Sequence, residues 1–224
     1  MLARANGLPQ GSVLVPCAGP GHELAPLATG LPERAIAASD LSQEMVALAR
    51  ARNARFGNVS VARGDATALA PSGPVAGLLS SFGLQLLPDP PRTLESWIRL
   101  LAPGGVAVIV YWPPDTESSG PFHELHRLLR KVAVRSDDWD DQVVASALRA
   151  GGRVLCDRRL AFSMRHDDAA SVWTALTGLG PLRALALTRG QALVDTLGAE
   201  FLSTFPPGPI EHLPQARLLV LERP

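Results

Sequence analysis

The patterned part of the chain opens with a nearly continuous apolar run, Ser12 to Pro16, ending in Cys17-Ala18-Gly19-Pro20-Gly21. Apolar positions in a row, without alternation, predict a strand buried on both faces, and the glycine-rich stretch behind it predicts a tight turn. Glu23 to Leu31 reads as a helix. A second strand, Ala35 to Ser39, ends at Asp40. Ser42 then caps a helix whose Met45, Leu48 and Ala49 share one face and which runs to about Arg55. Val59 to Ala62 forms a third strand ending near Asp65, and Val75 to Ser81 a fourth, with Pro71-Ser72-Gly73-Pro74 as the loop between them. Pro90 and Pro91 open a helix in which Leu94, Ile98 and Leu101 recur at helical spacing. Pro103-Gly104-Gly105 stops it, and Val106 to Trp112 is the fifth strand.

Alternating strands and helices with short connections predict right-handed crossovers, a mainly parallel sheet covered on both faces, and a ligand site at the carboxyl ends of the strands. Beyond Pro113 the pattern changes. Phe122 to Val134 and Gln142 to Ala150 are expected helices, Arg153 to Met164 a strand, and Ala169 to Phe205 mostly helical. Arg217 to Glu222 is a closing apolar strand that pairs antiparallel with Arg153 to Met164. With no internal repeat or low-complexity linker, residues 1–224 read as a single domain: a cofactor-binding core over 1–112, and lid helices with C-terminal strands over 113–224.

Composition narrows the function. A 224-residue chain that is 46% hydrophobic can bury one substantial core, and its 21 Lys and Arg balance its 21 Asp and Glu. No global positive field is present for a nucleic acid or an anionic membrane surface, which favours a small-molecule substrate. Cys17 and Cys156 form no paired spacing of the zinc or redox kind, and no metal is expected. Met1 to Gln10 lacks a leader pattern and no apolar stretch reaches bilayer length, so the expected location is the cytoplasm. A homo-oligomer stays open.

The turn after the first strand lets a nucleotide-like ligand approach closely, although an ordinary strand-to-helix turn would look the same. Asp40, at the end of the second strand, can accept hydrogen bonds from both hydroxyls of a ribose; capping the next helix is its alternative role. Asp65, in Arg63-Gly64-Asp65-Ala66, is either within reach of an adenine amino group or part of a solvated turn. His123 and His126, three apart on one helix, are candidate proton acceptors or surface and packing residues. Tyr111, Trp112, Trp139 and Trp173 could line an aromatic pocket or fill the core. Asp137-Asp138-Trp139-Asp140-Asp141 reads as a solvated turn.

Five segments together resemble the class I S-adenosylmethionine-dependent methyltransferases, in particular the small-molecule group labelled type 11. They are Val13 to Gly21, Ala38 to Met45, Arg63 to Ala66, Ser80 to Pro90 and Arg99 to Gly105, in that family's order and spacing. The resemblance implies a Rossmann-like, mainly parallel seven-stranded sheet with helices on both faces, an antiparallel C-terminal strand and helical lid insertions. S-adenosyl-L-methionine is the implied cofactor. Its binding residues would be Pro16, Cys17, Ala18, Gly19, Gly21, Asp40, Leu41, Met45, Asp65, Ala66, Ser81 and Phe82. Gly19 and Gly21 would border the methionine portion, Asp40 the ribose, Asp65 and the Ala66 backbone the adenine, and Ser81 and Phe82 the reactive end.

The chain departs from the family where Val15 replaces an acidic residue, Cys17 a glycine and Gln85 a frequent histidine. Only eleven residues precede Ser12, so the lid is expected from 113–134 and part of 169–205. The expected activity is methyl transfer to oxygen, nitrogen or carbon of a small molecule, chiefly by proximity and orientation, with no catalytic residue assigned. A protein of the same fold that catalyses another reaction beside the cofactor, or serves as a non-catalytic partner, is the alternative. A nicotinamide-dependent oxidoreductase fits less well, because His22 stands where the dinucleotide turn needs a third glycine.

Overall fold

The buried run of the first strand seeds a seven-stranded sheet. In this computed structural model, which describes residues 7–132, 138–178 and 180–224, β1 (Ser12–Pro16) is an interior strand with Val13 and Val15 fully buried. The chain then runs through α1 (Leu24–Gly30), β2 (Ile36–Asp40), α2 (Gln43–Asn53), β3 (Val59–Arg63), β4 (Val75–Ser81), α3 (Pro90–Leu100) and β5 (Leu101–Tyr111). After these come α4 (Pro121–Val132), α5 (Trp139–Arg149), β6 (Arg153–Ala161), β7 (Met164–His166), α6 (Ala169–Thr177), α7 (Gly180–Arg189), α8 (Gln191–Thr204), β8 (Ile210–His212) and β9 (Gln215–Glu222). The sheet order is β3-β2-β1-β4-β5-β9-β6. The first five strands of that order are parallel, and β9 is antiparallel to β5. The chain order reverses between β1 and β4, the kind of switch point beside which open α/β sheets bind ligands.

The chain divides into two compact units. The first comprises Met1–Trp112, Asp138–Arg159 and Arg217–Pro224; the second comprises Pro113–Asp137 and Leu160–Ala216. In the first, Leu78, Leu94, Trp97, Ile98, Ile109, Val143 and Leu219 pack into one apolar core. The amphipathic α3 starts where Asp89 accepts the Arg92 amide at 3.0 Å and buries Leu94, Trp97 and Ile98. The second unit has a core of its own, built by Leu128, Val172, Leu176, Leu197 and Phe201. Beside that core, β7 pairs antiparallel with β8, aligning Met164 with His212 and His166 with Ile210. The side chains of Glu117 and His212 are both buried in this unit. The Glu117 carboxylate accepts the Phe122 amide at 2.6 Å and meets His212 Nδ1 at 2.9 Å.

Three sequence expectations are corrected. The Arg153-to-Met164 segment is two strands: β6 joins the main sheet, while β7 pairs with β8, a three-residue strand too short to show a period of its own. Pro103-Gly104-Gly105 lies within β5 as an irregularity, for Leu101 already pairs with Val75 before Val106 pairs with Gly77. The acidic run at 137–141 is not a solvated turn where it is described, since α5 starts at Trp139 and Asp140 is buried. Asp137 and the end of the expected helix at 133–134 lie outside the described residues. Asp140 Oδ1 accepts the Tyr111 hydroxyl at 2.6 Å, and Arg217 reaches the Asp140 carbonyl at 3.2 Å while forking onto Asp157 at 2.9 and 2.8 Å. These partners are remote in sequence, so the local acidic pattern could not reveal the burial. Arg153 to Glu222 is a further ion pair in the first unit.

Candidate functional site

The carboxyl ends of β1, β2, β3 and β4 bring together the candidate residues of the first unit. At the end of β1, Cys17 and Gly19 both take left-handed backbone conformations, φ 56° and 51°, and Gly21 follows at φ 70°. The sharp turn swings the chain across the end of β2, where Ala18 donates its amide to the Ser39 carbonyl at 3.0 Å. Gly19 then donates its amide to Asp40 Oδ2 at 2.8 Å, while Asp40 Oδ1 accepts the Ser42 amide at 2.9 Å. The 21-residue separation of Gly19 and Asp40 is thereby closed by a direct bond.

A carboxylate oxygen accepts two hydrogen bonds, so each Asp40 oxygen keeps capacity for a donor such as a ribose hydroxyl. Apart from Gly19 and its two chain neighbours, no atom of the described residues lies within 4 Å of the position that a Gly19 Cβ would occupy, which leaves the outer side of the turn open. From behind, α2 grips the same turn. Asn53 Nδ2 donates to the Gly21 carbonyl at 2.9 Å and Arg52 to the Pro20 carbonyl at 2.8 Å.

The Gly64 amide bonds the Asp40 carbonyl at 3.0 Å, placing Asp65 next along the edge. Asp65 is exposed, and its Oδ1 accepts the Thr67 amide and hydroxyl, both at 2.8 Å. These bonds hold its carboxyl below the usual range. Buried Ala66 presents its carbonyl to Trp97 Nε1 at 2.8 Å, which fixes the segment after β3. Met45 is held through its amide by the Ser42 hydroxyl at 3.3 Å, and Leu41 is 65% exposed.

At the end of β4, Ser81 leads into Phe82, whose φ of 55° is the other positive value among described residues other than glycine. The Phe82 amide bonds the Val110 carbonyl at 2.7 Å, and its ring stacks on Trp112 at 4.9 Å between centroids. Gly83 meets the β1 turn: a Cβ there would stand 2.4 Å from Cys17 Cβ. The fully buried Ser80 hydroxyl has no hydrogen-bond partner among the described residues and lies beside the same point. Burial, with the charges of Asp40 and Asp65 nearby, pushes the Cys17 thiol up to about 12.

Three residues of this edge escaped the pattern analysis. Gly83 lay inside a quoted segment but gave no sign of touching Cys17. Asn53 bonds a carbonyl 32 positions away. Glu23 was absorbed into a helix, yet burial and the charge of Asp40 raise its carboxyl above the usual range. Of the histidine candidates, which lie in the second unit, His123 is exposed and His126 half-buried on α4. Trp173 packs against Phe201 at 5.1 Å in that unit's core. Among the described residues, no group of three or more His, Cys, Asp or Glu could hold a metal ion, and no helix is long and apolar enough to cross a membrane.

Residues 13–105 match the family described as methyltransferase domain. The chain is 32% identical over 185 residues to a trans-aconitate 2-methyltransferase of Methylobacterium radiotolerans, an overlap covering 73% of this chain and 66% of the relative, just under two thirds of the relative's length. A solved S-adenosylmethionine-dependent methyltransferase from Aquifex aeolicus is 26% identical, with a TM-score of 0.51, over 67% of this chain and 77% of that one. A putative methyltransferase from Bacillus halodurans shares the fold at 16% identity and a TM-score of 0.62, covering 100% of this chain and 96% of the other. Sheet order and switch point define a Rossmann-like α/β protein. Over residues 13–105 the chain matches the methyltransferase-domain family, and beyond them it is similar to S-adenosylmethionine-dependent methyltransferases.

Proposed function

We propose that the chain transfers the methyl group of S-adenosylmethionine to a small-molecule acceptor. The observation that carries this reading is the Asp40 carboxylate, oriented by the amides of Gly19 and Ser42 with lone pairs to spare, beside a turn that is open at Gly19. When bound, the cofactor supplies an activated methyl group on a sulfonium that is already a good leaving group. The residues present fit that ligand. Asp40 takes the ribose hydroxyls, Asp65 and the Ala66 backbone lie along the same edge for adenine, and the Gly19–Gly21 turn borders the methionyl part. Ser81 and the Phe82–Trp112 stack provide a firm wall at the end of β4. Alignment of acceptor with methyl group, and exclusion of water, supply the acceleration, so no general base is assigned.

The relative named for trans-aconitate makes a small polycarboxylic acid the first acceptor to assay. Methyl ester and S-adenosylhomocysteine should appear together; release of neither across a panel of small acids, alcohols and amines would favour a different reaction or a non-catalytic role. Asp40→Ala should weaken S-adenosylhomocysteine binding by about 1–3 kcal/mol, because the ribose loses charge-assisted hydrogen bonds. Calorimetry on the folded variant measures this, and unchanged affinity would remove the observation on which the reading stands.

A further inference from the structure

Glu23 follows the Gly19–Gly21 turn by two positions and is half-buried. Its side chain makes no capping bond to the helix after it. Glu23, Asp40 and Asp65 have no basic partner among the described residues, whereas Asp140 and Asp157 of the same unit are held by arginines. A half-buried carboxylate beside a like charge is unfavourable on its own, and a cation lodged against it relieves both the burial and the repulsion. The turn itself contributes amides and carbonyls, and the Arg52 guanidinium that reaches it bonds the Pro20 carbonyl and the His22 ring. The strand beneath it offers Val15, apolar and fully buried.

Cofactor chemistry selects the group that Glu23 suits. S-adenosylmethionine carries two positive groups, a sulfonium and the α-ammonium of its methionyl tail. Only the ammonium has N–H donors, which a carboxylate acceptor complements. Asp40 is committed to the ribose. The turn that borders the methionyl part leads straight into Glu23. We propose, resting on the cofactor reading above, that Glu23 binds the methionyl α-ammonium of the cofactor through its carboxylate. The chain thereby takes its charge for the tail from the residue after the turn, and none from β1.

Two ligands separate this role from general support of the turn. S-adenosylhomocysteine keeps the amino-acid tail; 5′-methylthioadenosine keeps adenine, ribose and thioether but has no tail. In calorimetric titrations, Glu23→Gln should weaken S-adenosylhomocysteine about tenfold or more, as expected for loss of a charge-assisted bond, and 5′-methylthioadenosine less than about twofold. Asp40→Ala should weaken both. The thermal midpoint of unliganded Glu23→Gln should match or exceed that of the parent, because a like-charge repulsion is removed, so a folding defect does not mask the result. Equal losses for the two ligands, or S-adenosylhomocysteine binding within about twofold of the parent, would overturn the role of Glu23 and leave the cofactor reading intact. Failure of the parent protein to bind either ligand would overturn the cofactor reading, and this proposal with it.

Discussion

Cys17 holds a backbone conformation that a side chain with a Cβ adopts at a cost of about 1–2 kcal/mol, and glycine adopts freely. The resemblance had already marked this position as one where glycine is usual, but only φ explains why. Its thiol is held in the protonated form by a separate cause, burial beside carboxylates. Packed under the turn and near two carboxylates, it stays protonated up to about pH 12. At pH 8 far less of it ionises than of an ordinary cysteine thiol. Alkylation of Cys17 by iodoacetamide at pH 8, followed by mass spectrometry, should therefore be at least a hundredfold slower in the native than in the denatured protein. Comparable rates would show an accessible thiolate and contradict the burial. At this scale the meeting of Asp40 with the turn glycines was legible, because a strand-helix-strand unit of that length returns the chain to the same sheet edge, where the Gly19 amide bonds Asp40 Oδ2. Glu23 and Asn53 were not, for a lone Glu at a helix start and an Asn at a helix end have ordinary local explanations.

The carboxyl ends of β1 and β4 are coupled through one pair of residues. The missing Cβ of Gly83 leaves the space that Cys17 fills. Gly83 has an ordinary φ of −100°, so what excludes a larger residue there is the approach of Cys17 and not the backbone. Gly83→Ala should destabilise the protein by about 1–3 kcal/mol, as overpacking does. Cys17→Gly alone should have a small effect, since relief of strain offsets lost packing and added chain entropy. The double variant should recover a substantial part of the Gly83→Ala loss, giving a coupling energy of about 1 kcal/mol in a denaturant-unfolding cycle. Strict additivity would mean that the two loops do not share this space. The elements themselves were largely legible, because the five parallel strands are apolar runs punctuated by Gly and Pro. What the pattern could not show were pairings and burial set by remote partners: β7 with β8, and Asp140 beneath Tyr111 and Arg217.

Across the whole molecule the two units answer pH in opposite directions. In the second unit, burial and the nearby His212 hold His166 below its ordinary value of 6.5, with Asp167 opposing; Arg165 and Glu211 form an ion pair on the same two strands. A histidine whose pKa is depressed by folding binds fewer protons in the native than in the unfolded state. Stability is then lost as pH falls through about 6.5. In the first unit, burial raises the Cys17 thiol from 9.0 and, reinforced by Asp140, raises the Tyr111 hydroxyl from 10.0. Both stay protonated in the native state while the unfolded chain ionises, so stability is lost as pH rises past about 9 and further past about 10. Thermal midpoints should thus form a plateau between about pH 7 and pH 9 and fall on either side. Hydrogen exchange localises the two limbs. From pH 7.5 to 5.5, after correction for intrinsic exchange, protection should fall over 164–166 and 210–212 and hold in β1, β4 and β5. His166→Gln should flatten the acid limb and leave the alkaline limb unchanged. An acid limb that survives this substitution, or that first loosens the central strands, would place the acid-sensitive group elsewhere.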